Sequence, residues 1–410
     1  MTETSTFVIV GGGLAGAKAA EALRANDFDG DITIIAEEDH LPYERPPLSK
    51  EFLAGKKSLE DFTVHDAGWY SDSNVDLRLG TAVAEIDRGT RNVRLSDDST
   101  QRYDKLLLAT GSRSKRPPIP GSDAAAVHYL RTLEDAVELN SALREGSSLA
   151  IVGAGWIGLE VAASARSKGV DVTVVETARL PLLAALGAEA AEVFAGLHRQ
   201  HGVNLRLESN VGEISTTSGT ATGLKLDDGS VIAADAVLVA VGAAPNIELA
   251  AAAGLDMGDG GVLVDSSLRT NDPDIFAVGD IAAAQHPFFK TRVRTEHWAN
   301  ALKQPAVAAA NMMSTQTEYN ELPYFFTDQY DLGMEYVGYA PSYDRVVFRG
   351  DVAGREFVAF WLDAGNRVLA GMNVNVWDVV DDIKALITSR AAVAPDALAD
   401  TQRALSELGG

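Results

Sequence analysis

The amino-acid sequence predicts an α/β protein with two doubly wound parallel-sheet domains and a smaller C-terminal α+β domain. Three observations predict this. A glycine-rich turn, Gly11-x-Gly13-x-x-Gly16, follows an apolar run at Thr6–Val10 and opens an alanine-rich segment. A second apolar run, Asp31–Ala36, closes that unit on the acid Glu37. The same succession recurs at Ser148–Val152, Gly153-x-Gly155-x-x-Gly158, Leu159–Ser167 and Val170–Val175, and closes on Glu176. From about Leu322 the texture changes to an aromatic, strand-rich region.

In the first unit Gly11 permits a tight turn, Gly13 lets backbone approach a pyrophosphate, and Gly16 lets the helix pack against the strand. The helix N-terminus then presents unpaired N–H groups to negative charge. Glu37 falls where a carboxylate accepts from ribose hydroxyls. With 37 glycines in 410 residues, a bare G-x-G-x-x-G arises by chance roughly 0.3 times. The flanking strand, helix and acid therefore carry the prediction, together with the second occurrence. The acid follows the first glycine by 26 residues in one unit and 23 in the other. Two such units predict two Rossmann-like dinucleotide-binding domains.

Composition narrows the function. The chain carries 35 basic and 58 acidic side chains, a formal net charge of −23, which disfavours nucleic acid and anionic membrane as partners. A surplus of solvated carboxylates for solubility accounts for the total equally well. No run reaches the ~18 apolar residues of a membrane span. The first strand follows a short polar lead without a signal peptide, so the expected location is cytoplasmic. There is no cysteine. Disulfides, thiolate metal sites, iron–sulfur ligation by this chain and dithiol relays are thereby excluded, and no metal site is expected.

Taken in order, Asp39–Lys50 is a loop stiffened by three prolines. Lys50 is expected to wall the site, while Arg45 reads from the residues alone as a solvated charge. Val75–Ile86 reads as strand, turn, strand, and Arg91–Tyr103 as a hairpin around Asp97–Asp98. Lys105–Gly111 (KLLLATG) fits a buried parallel strand whose end, Ala109, Thr110 and Gly111, lies beside a cofactor. Ser112–Gly121 reads as an interdomain crossing. Ala236–Gly242 (AVLVAVG) mirrors the Lys105 strand in the second unit. Thr270–Asp280 returns to the first domain, with Gly279-Asp280 at its end. Asp280 there faces the ligand, caps a helix at Ile281–Ala284, or does both. Glu296–Ala310 is an amphipathic helix interrupted by Pro305. Strands at Glu356–Leu362 and Arg367–Val376 and helices at Asp378–Arg390 and Pro395–Leu408 complete the chain. The expected domains are 1–112 with 246–320, 113–245, and 321–410.

A protein holding two dinucleotides has the physical task of passing reducing equivalents between them. A nicotinamide gives up hydride at C4; a flavin accepts it at N5 and later releases single electrons. Glu176 favours NADH, since a carboxylate binds a free 2′-hydroxyl and repels a 2′-phosphate. Arg179, three residues on, keeps NADPH as a weaker alternative.

Both fingerprints, the Lys105–Gly111 and Asp235–Gly242 strands and Thr270–Asp280 resemble the two-dinucleotide flavoprotein superfamily of glutathione reductase. PYERPPLSK (Pro42–Lys50), YLRTLEDA (Tyr129–Ala136), GWIGLEVA (Gly155–Ala162) and EHWANA (Glu296–Ala301) resemble its NADH-dependent, putidaredoxin reductase-like ferredoxin reductases. The resemblance covers essentially the whole chain and implies a glutathione reductase-like fold. It implies FAD contacts at Gly11, Gly13, Ala15, Gly16, Glu37, Arg45, Lys50, Val83, Ala109, Thr110, Gly111, Arg131, Gly279, Asp280 and Trp298. It implies NADH contacts at Gly153, Gly155, Ile157, Gly158 and Glu176. Lys50 and Glu160 match a catalytic pair beside flavin N5 and the nicotinamide. Ala36 departs from the family, many of whose members have glycine there, and Trp298 stands where the family varies. The implied partner is a small [2Fe-2S] ferredoxin serving a cytochrome P450 or a ring-hydroxylating dioxygenase; rubredoxin stays an alternative acceptor. An NADH oxidase or diaphorase, and a redox-sensing binding protein like apoptosis-inducing factor, are the other readings. Lys290, Arg292, Arg294 and Lys303 form the expected docking patch, with solvated charges balancing nearby acids as the plainer account.

Overall fold

The apolar runs of the sequence assemble into two parallel sheets and one antiparallel sheet. The computed structural model describes residues 5–408. The chain divides into two compact units, Met1–Glu44 with Leu59–Arg113 and Ala243–Pro323, and Arg45–Ser58 with Ser114–Gly242 and Tyr324–Gly410.

In the first unit the sheet order is Ile275–Ala277, Lys105–Leu108, Thr6–Val10, Asp31–Ile35, Val75–Arg78, every pair parallel. The central strands are buried on both faces, which is why they read as nearly continuous apolar runs. The helix Leu14–Ala25 follows the first strand, and the helix Trp298–Met312 packs beside it. The latter runs on through Pro305 rather than stopping there.

The strand, turn and strand expected over Val75–Ile86 are present, and the two strands belong to different sheets: Val75–Arg78 is the edge of the parallel sheet, while Val83–Asp87 begins a separate antiparallel sheet with Asn92–Leu95 and Thr100–Arg102. The helix expected at Ile281–Ala284 does not form. A single 3-10 turn, Gly279–Ile281, leads into the strand Ala282–His286, paired with Gly261–Val264 on one side and Thr291–Val293 on the other. Pairing on both edges overrides the helical preference of three successive alanines.

In the second unit a parallel sheet runs Asn204–Arg206, Asp171–Val175, Ser148–Val152, Ala236–Val239, Val127–His128. The C-terminal segment adds an antiparallel sheet ordered Tyr324–Gln329, Leu332–Gly338, Val368–Val374, Glu356–Leu362, Arg345–Asp351. It is anchored on the helix Leu183–Gln200. The Trp361 indole donates to the Leu186 carbonyl at 3.0 Å, and the helix kinks at Gly187, where the Tyr343 hydroxyl fills the space a Cβ would need. The expected helix Pro395–Leu408 shrinks to Pro395–Ala399 and a 3-10 turn, Leu405–Glu407. Arg349 explains the break: its guanidinium takes the carbonyls of Leu398, Asp400 and Arg403, which draws that stretch out of helical bonding.

Candidate functional site

Each unit presents one glycine turn at the end of a central strand. Gly11 has φ +122°, and a Cβ there would meet the Ala109 carbonyl oxygen at 2.2 Å, so only glycine lets the two strand ends approach. Gly13 begins the helix Leu14–Ala25 without a side-chain cap, and nothing lies within 4 Å of where its Cβ would be. The first-turn N–H groups therefore open onto free space, the arrangement that takes a phosphate. The second turn repeats it: Gly153 lies under the Ala240 carbonyl, and Gly155 is equally open and uncapped. The residues present fit two dinucleotide pyrophosphates.

The first unit carries most of the residues expected to contact a flavin. Asn246 clamps the Ala109–Gly111 strand end: its Nδ2 donates to the Thr110 carbonyl at 2.9 Å and its N–H to the Gly111 carbonyl at 2.8 Å, while Thr110 Oγ1 donates to the Asn246 carbonyl at 2.7 Å. Gly279 stands beside Ala15, and its N–H donates to Gln304 Oε1 at 2.7 Å. Asp280 is buried on the turn that follows. Burial pushes the neighbouring His297 down to about 4. Trp298 Nε1 donates to Glu44 Oε2 at 2.9 Å. Val83 is half-buried at the head of the small antiparallel sheet. Arg45, Lys50 and Arg131 fall in the second unit, where Arg45 Nη1 donates to the Arg131 carbonyl. Arg45 is thus built into a contact rather than simply solvated. Asn246 and Gln304 escaped the sequence reading, since nothing local distinguishes them from other amides.

The two strand-end acids are not equivalent. Gly11 N–H donates to the Ile35 carbonyl and Gly153 N–H to that of Val175, so Ala36, not Glu37, occupies the place of Glu176. Ala36 Cβ fills the space a Cβ on Gly12 would need, and Glu37 stands exposed one residue further out. Glu176 instead holds its own turn, with Oε2 accepting from Ala154 N–H at 2.8 Å and Oε1 from Ala178 N–H at 2.9 Å. Oε1 also accepts from Thr177 Oγ1 at 3.0 Å, so Oε2 is the oxygen that keeps a lone pair for a ribose hydroxyl. Ile157, one turn of chain away, is 38% exposed on the helix start.

The proline-rich segment closes this side of the second unit. Pro46–Ser49 forms a 3-10 turn with proline at its start, and Lys50 follows. Lys50 Nζ lies 3.7 Å from Glu160 Oε1, and both side chains are less than a tenth exposed. Nζ also stands 4.3 Å from the centre of the Phe326 ring. Glu160 Oε2 accepts from Ser49 Oγ at 2.5 Å, and Oε1 from Thr327 Oγ1 at 2.6 Å. Ser164 Oγ donates to the Ser49 carbonyl at 2.8 Å, and Lys168 Nζ to that of Leu53 at 3.4 Å. Burial pushes the Glu160 carboxyl above its ordinary range, against the pull of Lys50, Ser49 and Thr327. A buried, ion-paired carboxylate beside an open dinucleotide turn is an acceptor for a donor on the ligand.

The expected docking patch is largely neutralised from within. Arg294 pairs with Glu296 at 2.7 Å and Lys303 with Glu321 at 2.8 Å, while Arg292 spends its Nη1 on the carbonyls of Val264 and Ala283.

Two nucleotide turns on parallel sheets, with a buried lysine–glutamate pair and no cysteine, define a pyridine-nucleotide oxidoreductase that works without a thiol. The chain belongs to the pyridine nucleotide-disulphide oxidoreductase family, whose profile matches residues 5–305, and a reductase C-terminal profile matches residues 324–409. Rhodocoxin reductase of Rhodococcus erythropolis is 40% identical over 396 residues, 97% of this chain and 92% of the relative. The ferredoxin–NAD(+) reductase component of the anthranilate 1,2-dioxygenase system of Burkholderia cepacia is 41% identical over 394 residues, 96% of this chain and 97% of the relative. The crystal structure of the covalent putidaredoxin reductase–putidaredoxin complex superposes with a TM-score of 0.94 at 36% identity, covering 98% of this chain and 97% of that one. Among the described residues no helix is long and apolar enough to cross a membrane.

Proposed function

We propose that this chain is a cytoplasmic, FAD-dependent NADH:ferredoxin reductase. It accepts hydride from NADH and passes electrons singly to a [2Fe-2S] ferredoxin serving a cytochrome P450 or a ring-hydroxylating dioxygenase. The observation that carries the reading is likeness to ferredoxin reductases over nearly the whole chain, combined with the lack of any cysteine. A thiol-based branch of the family needs a cysteine beside the flavin; this chain has none.

Bound FAD supplies a hydride acceptor that also donates single electrons. The chain's own contribution is placement and charge. Gly11, Gly13, Ala15, Gly16, Glu37, Val83, Ala109, Thr110, Gly111, Gly279, Asp280 and Trp298, with Arg45, Lys50 and Arg131, hold FAD. Gly153, Gly155, Ile157, Gly158 and Glu176 hold NADH, Glu176 at the free 2′-hydroxyl. Lys50 supplies the positive charge that favours reduced flavin. Glu160 offsets that charge and accepts from the carboxamide of the nicotinamide, which orients the ring. The domain reading follows the same division: residues 1–112 and 246–320 for FAD, 113–245 for NADH, 321–410 as the C-terminal domain.

Purified protein tests the reading directly. The expected result is a flavin absorbance spectrum, bleaching on NADH addition, and cytochrome c reduction that becomes rapid only when a [2Fe-2S] ferredoxin is added. Colourless folded protein that refuses FAD overturns the reading. Oxygen consumption matching NADH loss assigns the chain to the oxidases, and rapid turnover with rubredoxin alone changes the partner.

A further inference from the structure

Glu160 is the end of a line of hydrogen bonds that crosses the second unit. Thr327 Oγ1 lies 2.6 Å from its Oε1, Gln329 Nε2 lies 3.2 Å from Thr327 Oγ1, and His198 Nε2 lies 2.8 Å from Gln329 Oε1. Beyond it Tyr330 Oη stands 3.5 Å from His198 Nδ1. Thr327 and Gln329 sit two apart on the strand Tyr324–Gln329, so their side chains share a face; both are 1% exposed, while Asp328 between them points outward. Pleat alternation thus sets two polar groups into a buried face where each must find partners.

The direction of every bond is fixed from one end. An ionised carboxylate only accepts, so the Thr327 hydroxyl must spend its single proton on Glu160. Its oxygen is then an acceptor toward Gln329, which has to present its NH2 there. The amide carbonyl accordingly faces His198, and His198 has to donate through Nε2–H. Burial pushes the His198 imidazole down to about 4, so the ring is neutral and its Nδ1 is left as an acceptor toward Tyr330. A charge on Glu160 therefore selects a tautomer of His198 three bonds away.

We propose that Thr327 and Gln329 are positioning residues for Glu160: a one-way donor chain from His198 holds the Glu160 carboxylate ionised and oriented as an acceptor for the nicotinamide carboxamide. This rests on the role given to Glu160 above. An amide in the middle makes the chain a poor proton conductor, so its action is polarisation and orientation rather than relay. Glu160 also meets Lys50 and Ser49 from the proline-rich turn and feels the charge of Asp328 from the opposite face of the strand; His201 and Tyr330 face His198. Lys50 and Ser49 favour the carboxylate and Asp328 opposes it, which leaves Thr327 as the donor supplied by the C-terminal sheet.

The test reads the pH profile of flavin reduction by NADH in stopped flow, together with the His198 tautomer from ring 15N and 13C shifts in the FAD-loaded protein. Wild-type protein is expected to show the Nε2–H tautomer at pH 7. Thr327→Val, nearly isosteric, loses one donor, and the acid limb of its reduction profile moves up by about one pH unit. Thr327→Ser restores the wild-type limb, which a packing defect does not do. Gln329→Leu leaves both hydroxyl donors on Glu160 and gives a smaller displacement, but releases the tautomer. An Nδ1–H tautomer in wild type, or an unmoved limb in Thr327→Val when Glu160→Gln abolishes that limb, overturns the proposal. A wild-type rate and profile in Glu160→Gln instead overturns the role of Glu160 itself, and the tautomer still decides whether the chain exists.

Discussion

The Ser49 hydroxyl donates to Glu160 Oε2 at 2.5 Å across 111 residues of sequence. This bond ties the proline-rich turn to the helix Trp156–Ser167 and fixes Lys50, the next residue, 3.7 Å from the same carboxylate. The pair is buried, so removing one partner leaves an uncompensated charge, at a cost of roughly 3–5 kcal/mol, whereas replacing both with apolar groups costs far less. Lys50→Met is expected to slow flavin reduction at saturating NADH and to lower chemical stability. The double variant Lys50→Met/Glu160→Leu should recover most of that stability and none of the rate. An unchanged reduction rate in Lys50→Met removes the lysine from the mechanism.

The glycine turns predict separable losses. A Cβ on Gly16 would stand 2.0 Å from the Gly11 carbonyl oxygen, and one on Gly158 would stand 2.3 Å from that of Gly153. Both contacts are backbone against backbone, so neither turn can absorb the methyl by moving a side chain. Gly16→Ala is expected to purify with little flavin. Gly158→Ala is expected to stay yellow and lose reduction by NADH by at least about tenfold, a change of about 1.4 kcal/mol. Absorbance at purification and an NADH titration separate the two; equal loss of flavin in both variants contradicts the assignment of the second turn to NADH.

How much of this was legible in the sequence depends on the distance over which each interaction acts. The fingerprints were legible because strand, turn and helix are contiguous, and the glycines are dictated by local backbone approach. Lys50 and Glu160 entered through resemblance, while their hydroxyl partners did not, for Ser49 and Thr327 meet Glu160 only after the chain folds back over 111 and 167 residues. The strand at Ala282–His286 was missed for the same reason: its pairing partners lie outside any local window. The matching of Glu37 with Glu176 failed by one residue because register is set by which carbonyl receives the glycine N–H, and spacing alone does not encode that.

Buried histidines predict an acid-side loss of stability. Burial holds His198 and His297 at about 4, below the ordinary 6.5. Between those values the unfolded chain binds protons that the folded chain does not, so folding stability falls as pH drops from about 6.5 toward about 4. Each group contributes at most about 1.4 kcal/mol per pH unit across that window. Chemical denaturation at pH 7 and pH 5 is expected to show the fall. His198→Asn keeps an N–H donor for Gln329 but does not titrate, and should make the slope shallower; an unaltered slope shows that His198 takes up its proton at the same pH in the folded and unfolded chain.

Ferredoxin docking is expected to depend on salt only weakly for this family of reactions, because the basic cluster is mostly spent internally. With Arg294 on Glu296 and Lys303 on Glu321, two of the four cations present no net charge, and Arg292 is half-buried against carbonyls. Lys290, exposed and in the left-handed region at φ 58°, is the cation of the four that this leaves most available. A single exposed charge steers an acidic partner over about one Debye length, ~8 Å at physiological ionic strength. Lys290→Glu is accordingly expected to raise KM for ferredoxin with little change in kcat, and Lys303→Ala to do less, since its removal also frees Glu321. NADH–ferricyanide turnover serves as the control that neither variant alters. A larger effect from Lys303 than from Lys290 places the docking charge on the opposite end of the cluster.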